Sequence, residues 1–249
     1  MTTPWIAFHK PRPGARLRLF CFPFAGGSAS VYRTWQQDMP AEIEVCPVQL
    51  PGRERRFREP AFTSLPPLID EMSKALEPYF DLPFAFFGHS MGSIIGYELG
   101  HELRAEGKAE PVQLLVSARR APHIPEDDDH YHELPDDELR EKLGEIEGTP
   151  PEVLANAELM ELMLPLIRSD FELNETYEYA EHETAPWPLT AFGGLEDPEV
   201  PREYLEEWEK MTSGPFRLRM FPGGHFYLNE GKDTLIAAVL EELLPRVPR

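Results

Sequence analysis

Pro83-Phe84-Ala85-Phe86-Phe87 runs into Gly88-His89-Ser90-Met91-Gly92, then into Ser93-Ile94-Ile95-Gly96-Tyr97-Glu98-Leu99-Gly100-His101-Glu102-Leu103. An apolar run ending at a glycine, a Gly-x-Ser-x-Gly pentapeptide and a helical stretch read as strand, sharp turn and helix. That is the context of a nucleophile elbow. Ser90 then sits at the tip of a strained turn with its hydroxyl clear of the sheet. Side chains at 88 and 92 would meet neighbouring backbone, so both positions are Gly. The Met91 N–H, at the helix start, is placed to meet an oxyanion on a carbonyl attacked by Ser90.

Strands are predicted at 17–22, 43–50 and 112–118 around this element, with helices at 31–39 and 65–80. Pro47 marks the second strand as an edge or its end. Strands alternating with helices imply βαβ units and a parallel sheet. From residue 119 to 183 the alternation stops, and helical runs are expected at 136–147, 151–156 and 158–179. The last carries Leu159, Leu162, Met163, Leu166 and Ile167 as an apolar stripe, with a kink expected at Pro165. This stripe either lines a binding pocket or packs the block onto the core. Strands at 189–193 and 216–221 and a helix at 232–244 close the chain. The expectation is a single domain over 1–249 with a helical insertion at about 119–183.

The chain has 249 residues and a net charge of −20, which argues against a nucleic-acid partner. Residues 119–183 hold 20 of the acidic residues and only 5 basic ones, so most of the imbalance sits in the insertion. No run has the length of a membrane span, and the N-terminus lacks the basic flank and apolar core of a signal peptide. A soluble, cytoplasmic monomer is expected. Cys21 and Cys46 fit no metal spacing and read as free buried thiols. Asp127-Asp128-Asp129-His130 reads as a charged loop, not a metal site.

A serine nucleophile needs a base, for which His is the usual residue. His225 follows a predicted strand after Pro222-Gly223-Gly224, and the chain order Ser, Asp/Glu, His suits this topology. His89 is expected to pack around the turn, and His101, far along the elbow helix, to point elsewhere. The carboxylate that orients His225 is expected at Asp197, in the loop after Gly193-Gly194, with Glu196 as its nearest rival. A second oxyanion donor is expected in Phe24-Ala25-Gly26-Gly27, at Ala25.

Phe22-Pro23-Phe24-Ala25-Gly26-Gly27-Ser28, Leu50-Pro51-Gly52-Arg53-Glu54-Arg55-Arg56, Gly88-His89-Ser90-Met91-Gly92, Gly193-Gly194-x-x-Asp197 and Gly223-Gly224-His225-Phe226 together resemble the stand-alone type II thioesterases of polyketide and nonribosomal peptide synthesis. The resemblance implies an α/β-hydrolase fold with a mobile helical lid at about 119–183. It implies Ser90, Asp197 and His225 as a triad, with Ala25 and Met91 as oxyanion donors. It further implies hydrolysis of aberrant acyl groups from the phosphopantetheine arm of acyl or peptidyl carrier proteins. No metal or bound cofactor is then needed, because the pantetheine belongs to the substrate. Some relatives have His where this chain has Phe24, a position expected to contribute backbone to substrate binding. Carrier proteins are generally acidic, so docking is expected on the basic loop of Arg53, Arg55, Arg56 and Arg58. Those arginines equally well pair with Glu54, Glu59 and other neighbours. A carboxylesterase, a medium-chain acyl-carrier thioesterase and a non-catalytic carrier-binding partner are the alternatives. The start at Met1 without a carrier domain speaks against a macrocyclising domain.

Overall fold

A computed structural model describes residues 3–125, 130–146, 148–149 and 151–248. Its centre is a six-stranded sheet of β1 (Leu17–Phe22), β2 (Ile43–Pro47), β3 (Phe84–His89), β4 (Gln113–Ser117), β5 (Leu189–Gly194) and β6 (Phe216–Phe221). The order is β2-β1-β3-β4-β5-β6, and every pairing is parallel. Every residue of β3, β4 and β5 is buried, as expected of strands covered on both faces.

Successive residues of these strands point to opposite faces, so one aromatic run supplies two cores. Phe20, Phe22 and Phe86 pack on one side with α2 (Leu65–Leu76) and α3 (Met91–Ala105). Leu19, Cys21 and Phe87 pack on the other with α1 (Trp35–Asp38) and α9 (Lys232–Leu243). Each fully buried Phe contributes about 2–3 kcal/mol of apolar transfer free energy. β2 is an edge strand and ends at Pro47, which has no N–H to give the ladder.

The expected helix at 31–39 is divided into a 3-10 turn, Ala29–Tyr32, and the single turn of α1. Tyr32 and Trp35 are both buried, and the Tyr32 hydroxyl donates to the Phe22 carbonyl at 2.8 Å, so core anchoring sets the local path.

Between β4 and β5 the chain forms α4 (Asp136–Glu145), α5 (Pro151–Leu154) and α6 (Ala157–Glu175). Asn156 caps α6 by accepting the Leu159 N–H, and the helix continues past Pro165 to Glu175. Leu139, Leu143, Met160, Leu164 and Ile167 give this block a small core of its own. Leu162, expected in the apolar stripe, is exposed instead. Residues 127–129 of the acidic run lie outside the described residues. α7 (Arg202–Glu206) and α8 (Tyr227–Glu230) are the remaining α-helices among the described residues, α7 lying against β5. None of the described helices is long and apolar enough to cross a membrane.

Candidate active site

Ser90 stands between β3 and α3 at φ +52°, ψ −120°, a conformation that costs an L-residue on the order of 1–3 kcal/mol. The flanking glycines are sterically required. A Cβ on Gly88 would lie 2.0 Å from the Gly92 carbonyl oxygen, and one on Gly92 would lie 2.2 Å from that of Phe22. The strained turn is held from behind. The Ser90 N–H donates to the Ser117 carbonyl at 2.8 Å. The Ser93 hydroxyl lies within hydrogen-bond distance of the Gly88 and Ser117 carbonyls, and accepts the Ser117 N–H at 3.0 Å. Neither Ser93 nor Ser117 stood out in the sequence, because a single hydroxyl on a helix or strand carries no pattern.

His225 and Asp197 are brought together by two glycine pairs at the ends of β5 and β6. A Cβ on Gly194 would stand 2.3 Å from the Gly224 carbonyl oxygen, so the two loops cross in near contact. The Leu195 and Glu196 N–H groups donate to the Phe221 and Gly223 carbonyls at 2.8 and 3.0 Å. His225 Nδ1–H then donates to Asp197 Oδ2 at 2.8 Å, with both residues buried. Asp197 Oδ1 accepts the Glu199 and Val200 N–H groups at 2.9 and 3.1 Å. Burial pushes the Asp197 carboxyl pKa up. His225, by hydrogen bond and charge, and the two backbone N–H groups outweigh this and hold it below the usual carboxylate value. The ionised carboxylate keeps the proton on Nδ1, leaving Nε2 as the acceptor of the imidazole. Glu196 is exposed and joins the two loops through its backbone N–H, while Asp197 supplies the carboxylate on His225. Glu199, overlooked in the sequence, places Oε2 at 3.9 Å from His225 Nδ1.

Ser90, Ala25 and His225 line a cavity of about 400 Å³ whose other walls include Phe24, Met163 and Ile167. The same three residues line a second lobe of about 550 Å³, where Arg119, Arg120 and Lys142 stand with Glu145, Glu175 and Glu199. The site therefore has one apolar and one polar side, meeting at Ser90. Met91 is the first residue of α3, where backbone N–H groups have no intrahelical acceptor. Ala25 lies in a turn closed by the Gly27 N–H on the Phe24 carbonyl at 2.9 Å. Phe24 gives more than backbone: its ring sits edge-on to Phe226 at 4.8 Å and to His89 at 5.7 Å.

His89 and His101 have partners of their own. His89 is buried and shares a hydrogen bond of 2.8 Å with the Ser117 hydroxyl, which meets the Tyr227 hydroxyl at 2.6 Å. Burial and then the neighbouring His225 push the His89 pKa well below the ordinary value. His101 stacks on His182 at 4.2 Å, away from the cavity.

The basic loop needs correction. Arg53 is 4 % exposed and ion-paired to Asp170 of α6, so it offers no docking surface. Arg56 is also buried, lying over the Trp5 ring at 4.2 Å and paired to Glu59. Arg55 and Arg58 are exposed, on either side of the exposed Phe57. Among the described residues, His9, Glu44 and Cys46 bring three metal-type donors within 4.8 Å of one another. There the Glu44 carboxylate already accepts from Arg18 at 2.9 Å, the Arg12 N–H at 2.7 Å and His9 at 2.8 Å.

Residues 17–244 match the family model of the thioesterase domain. The chain is 42% identical over 238 residues to the protein named linear gramicidin dehydrogenase LgrE of Brevibacillus parabrevis, covering 94% of this chain and 90% of the relative. It superposes with a TM-score of 0.87 on the RedJ thioesterase from the prodiginine pathway of Streptomyces coelicolor, at 38% identity over 92% of this chain and 91% of that one. The type II thioesterase BorB from the borrelidin cluster superposes at a TM-score of 0.88 and 35% identity, covering 96% and 97%.

Proposed function

This chain belongs to the thioesterase domain family and is a hydrolase of thioesters; from that premise we propose that it releases short acyl units from the phosphopantetheine thiol of acyl or peptidyl carrier domains serving a polyketide or nonribosomal peptide synthase. The observation that carries the reading is the meeting of the Ser90 elbow and the buried His225–Asp197 pair at a cavity with one apolar and one polar lobe. The apolar lobe suits an acyl chain. The second lobe, where Arg119, Arg120 and Lys142 alternate with Glu145, Glu175 and Glu199, offers donors and acceptors to the amides of the pantetheine arm. The name of one relative points to hydride transfer, which calls for a Gly-x-Gly-x-x-Gly phosphate cradle after a strand. The matching turn here is Gly88-His89-Ser90-Met91-Gly92, built to expose a hydroxyl.

In the proposed mechanism Ser90 Oγ attacks the thioester carbonyl carbon while His225 Nε2 takes its proton. Asp197 holds the imidazole in the required tautomer and stabilises its cation. The Met91 and Ala25 N–H groups hold the oxyanion, each donor being worth about 10²–10³ in rate. Collapse of the intermediate breaks the C–S bond, and His225 returns the proton to the departing thiol. A water, deprotonated by His225, then cleaves the acyl-enzyme and regenerates Ser90.

Exposed Arg55 and Arg58 remain the carrier-docking candidates of the basic loop. Glu54 of that loop accepts from the Ser28 hydroxyl at 2.7 Å, and Ser28 lines the apolar lobe, so the loop borders the site. The reading takes the enzyme to work in the cytoplasm as a monomer. Both cysteines are free and buried, as in a chain whose thiols stay reduced.

The test is time-resolved intact mass of an acetyl-loaded carrier domain mixed with wild type or Ser90→Ala. Acyl release by wild type alone supports the reading. Preference for simple oxyesters over the loaded carrier would move the assignment to an esterase.

A further inference from the structure

Asp170, on α6, is 1% exposed, and Arg53, in the loop after β2, is 4% exposed. Arg53 Nη2 donates to Asp170 Oδ1 at 2.7 Å and Nη1 to Oδ2 at 2.9 Å, a two-pronged pair. Both partners do more than meet each other. Asp170 Oδ2 also accepts the Gly26 N–H at 2.7 Å, and Arg53 Nη1 also donates to the Gly27 carbonyl at 2.9 Å. Gly26, at φ +73°, and Gly27 form one side of the turn whose opposite corner is Ala25. A Cβ on Gly26 would stand 3.4 Å from the side chain of Ile167, which lines the apolar lobe one turn before Asp170 on the same helix.

The choice of a charged pair is informative. Apolar side chains of similar volume attach buried elements as well as an ion pair does, and often better. What apolar side chains cannot do is accept the Gly26 N–H and donate to the Gly27 carbonyl. Among the described residues, no acceptor stands on the Ala25 N–H itself.

We propose that Arg53 and Asp170 are positioning residues for the oxyanion hole: together they fix the Phe24–Gly27 turn so that the Ala25 N–H is aimed at the site only while α6 is seated. Because α6 also supplies Met163 and Ile167 to the cavity wall, one seating event completes the acyl lobe and aims the donor. This inference rests on the reading of Ser90 as nucleophile and Ala25 as donor.

The test uses the full-length chain and the double variant Arg53→Met/Asp170→Leu, which removes the pair without leaving a buried charge. Four quantities are measured per titrated active site. They are kcat and KM on a small acyl thioester, the affinity of a trifluoromethyl ketone that forms a tetrahedral adduct on Ser90, and the affinity of an unreactive thioether of the same shape. A weakened donor costs less than a deleted one, so kcat should fall about 10- to 100-fold. The ketone affinity should fall by the same factor, while KM and thioether affinity stay within about threefold. Equal losses for ketone and thioether, or a kcat within about threefold of wild type, would overturn the proposal. If the double variant does not fold, amide exchange on wild type decides. The Gly26 amide should then exchange in step with the α6 amides around Asp170, and independent fast exchange would overturn the coupling. A wild type that neither hydrolyses the thioester nor binds the ketone would overturn the site reading itself, and this inference with it.

Discussion

Replacing Asp197 by Asn changes the base without changing its shape. The Glu199 and Val200 N–H groups, at 2.9 and 3.1 Å from Oδ1, need an acceptor, so the new amide keeps its oxygen toward them. Its NH₂ then faces His225 Nδ1, where the carboxylate oxygen stood at 2.8 Å. The imidazole has to accept at Nδ1 and carry its proton on Nε2, the nitrogen that should receive the Ser90 proton. A change of this kind in a Ser-His-Asp triad lowers kcat by about 10⁴. That is about 5 kcal/mol of transition-state stabilisation. Glu199 Oε2, 3.9 Å from Nδ1 and half-exposed, is a weak substitute carboxylate, so Asp197→Asn/Glu199→Gln should fall at least as far. The assay is thiol release from an acyl thioester under steady-state conditions, with active sites titrated and KM expected to stay near wild type. A kcat of the double variant within about tenfold of wild type would refute the assigned role. A second readout follows from linkage. The carboxyl pKa is lowered in the folded state, so its stabilisation is full above the ordinary carboxylate value, about 3.9, and is lost as pH falls through the folded value. The stability gap between wild type and Asp197→Asn should therefore close in acid.

Gly92→Ala drives a Cβ to 2.2 Å from the Phe22 carbonyl oxygen and 2.7 Å from its carbon, and should destabilise by about 3 kcal/mol or more, read as a collapsed thermal transition; a wild-type melt with full activity would contradict the elbow geometry. Burial, then the charges of His182 and Arg104, push the His101 pKa down to about 3. Below the unfolded value of about 6.5 the unfolded chain binds a proton that the folded chain refuses, so stability falls with pH by up to about 1.4 kcal/mol per unit from this group. Denaturant titrations at several pH values should show a flatter acid limb in His101→Phe, and an unchanged slope would count against a neutral buried His101. Arg55→Glu/Arg58→Glu should lower kcat/KM on a loaded carrier about tenfold at low salt and much less at high salt, while leaving a small thioester unaffected; equal effects on both substrates would rule out docking.

The sheet was legible because its strands are apolar runs separated by amphipathic helices, and the elbow because its glycines are sterically obligatory. The helix expected at 31–39 was less legible, since burial of Tyr32 and Trp35, rather than periodicity, decides where it breaks. Leu162 shows the same limit, matching the period of the apolar stripe but facing solvent. Between docking and ion pairing, the sequence could not decide for Arg53, because its partner lies 117 residues away, on a helix whose docking no local pattern reveals. Four arginines in six positions look alike as charges; only the fold sends Arg53 and Arg56 inward and leaves Arg55 and Arg58 outside. Glu199 was missed for a related reason. Its distance to His225 depends on the turn that Asp197 Oδ1 builds with the Glu199 and Val200 N–H groups.

In the proposed mechanism Ser90 carries the acyl group between carrier thiol and water. The most direct measurement is rapid acid quench of wild type with an acyl-loaded carrier, followed by fragment mass spectrometry of the peptide spanning residues 84–104. A transient acyl ester on Ser90 should form as the carrier thiol is freed and decay as free acid appears. Carrier deacylation at full rate with no acyl on Ser90, or an acyl group on another side chain, would contradict that mechanism.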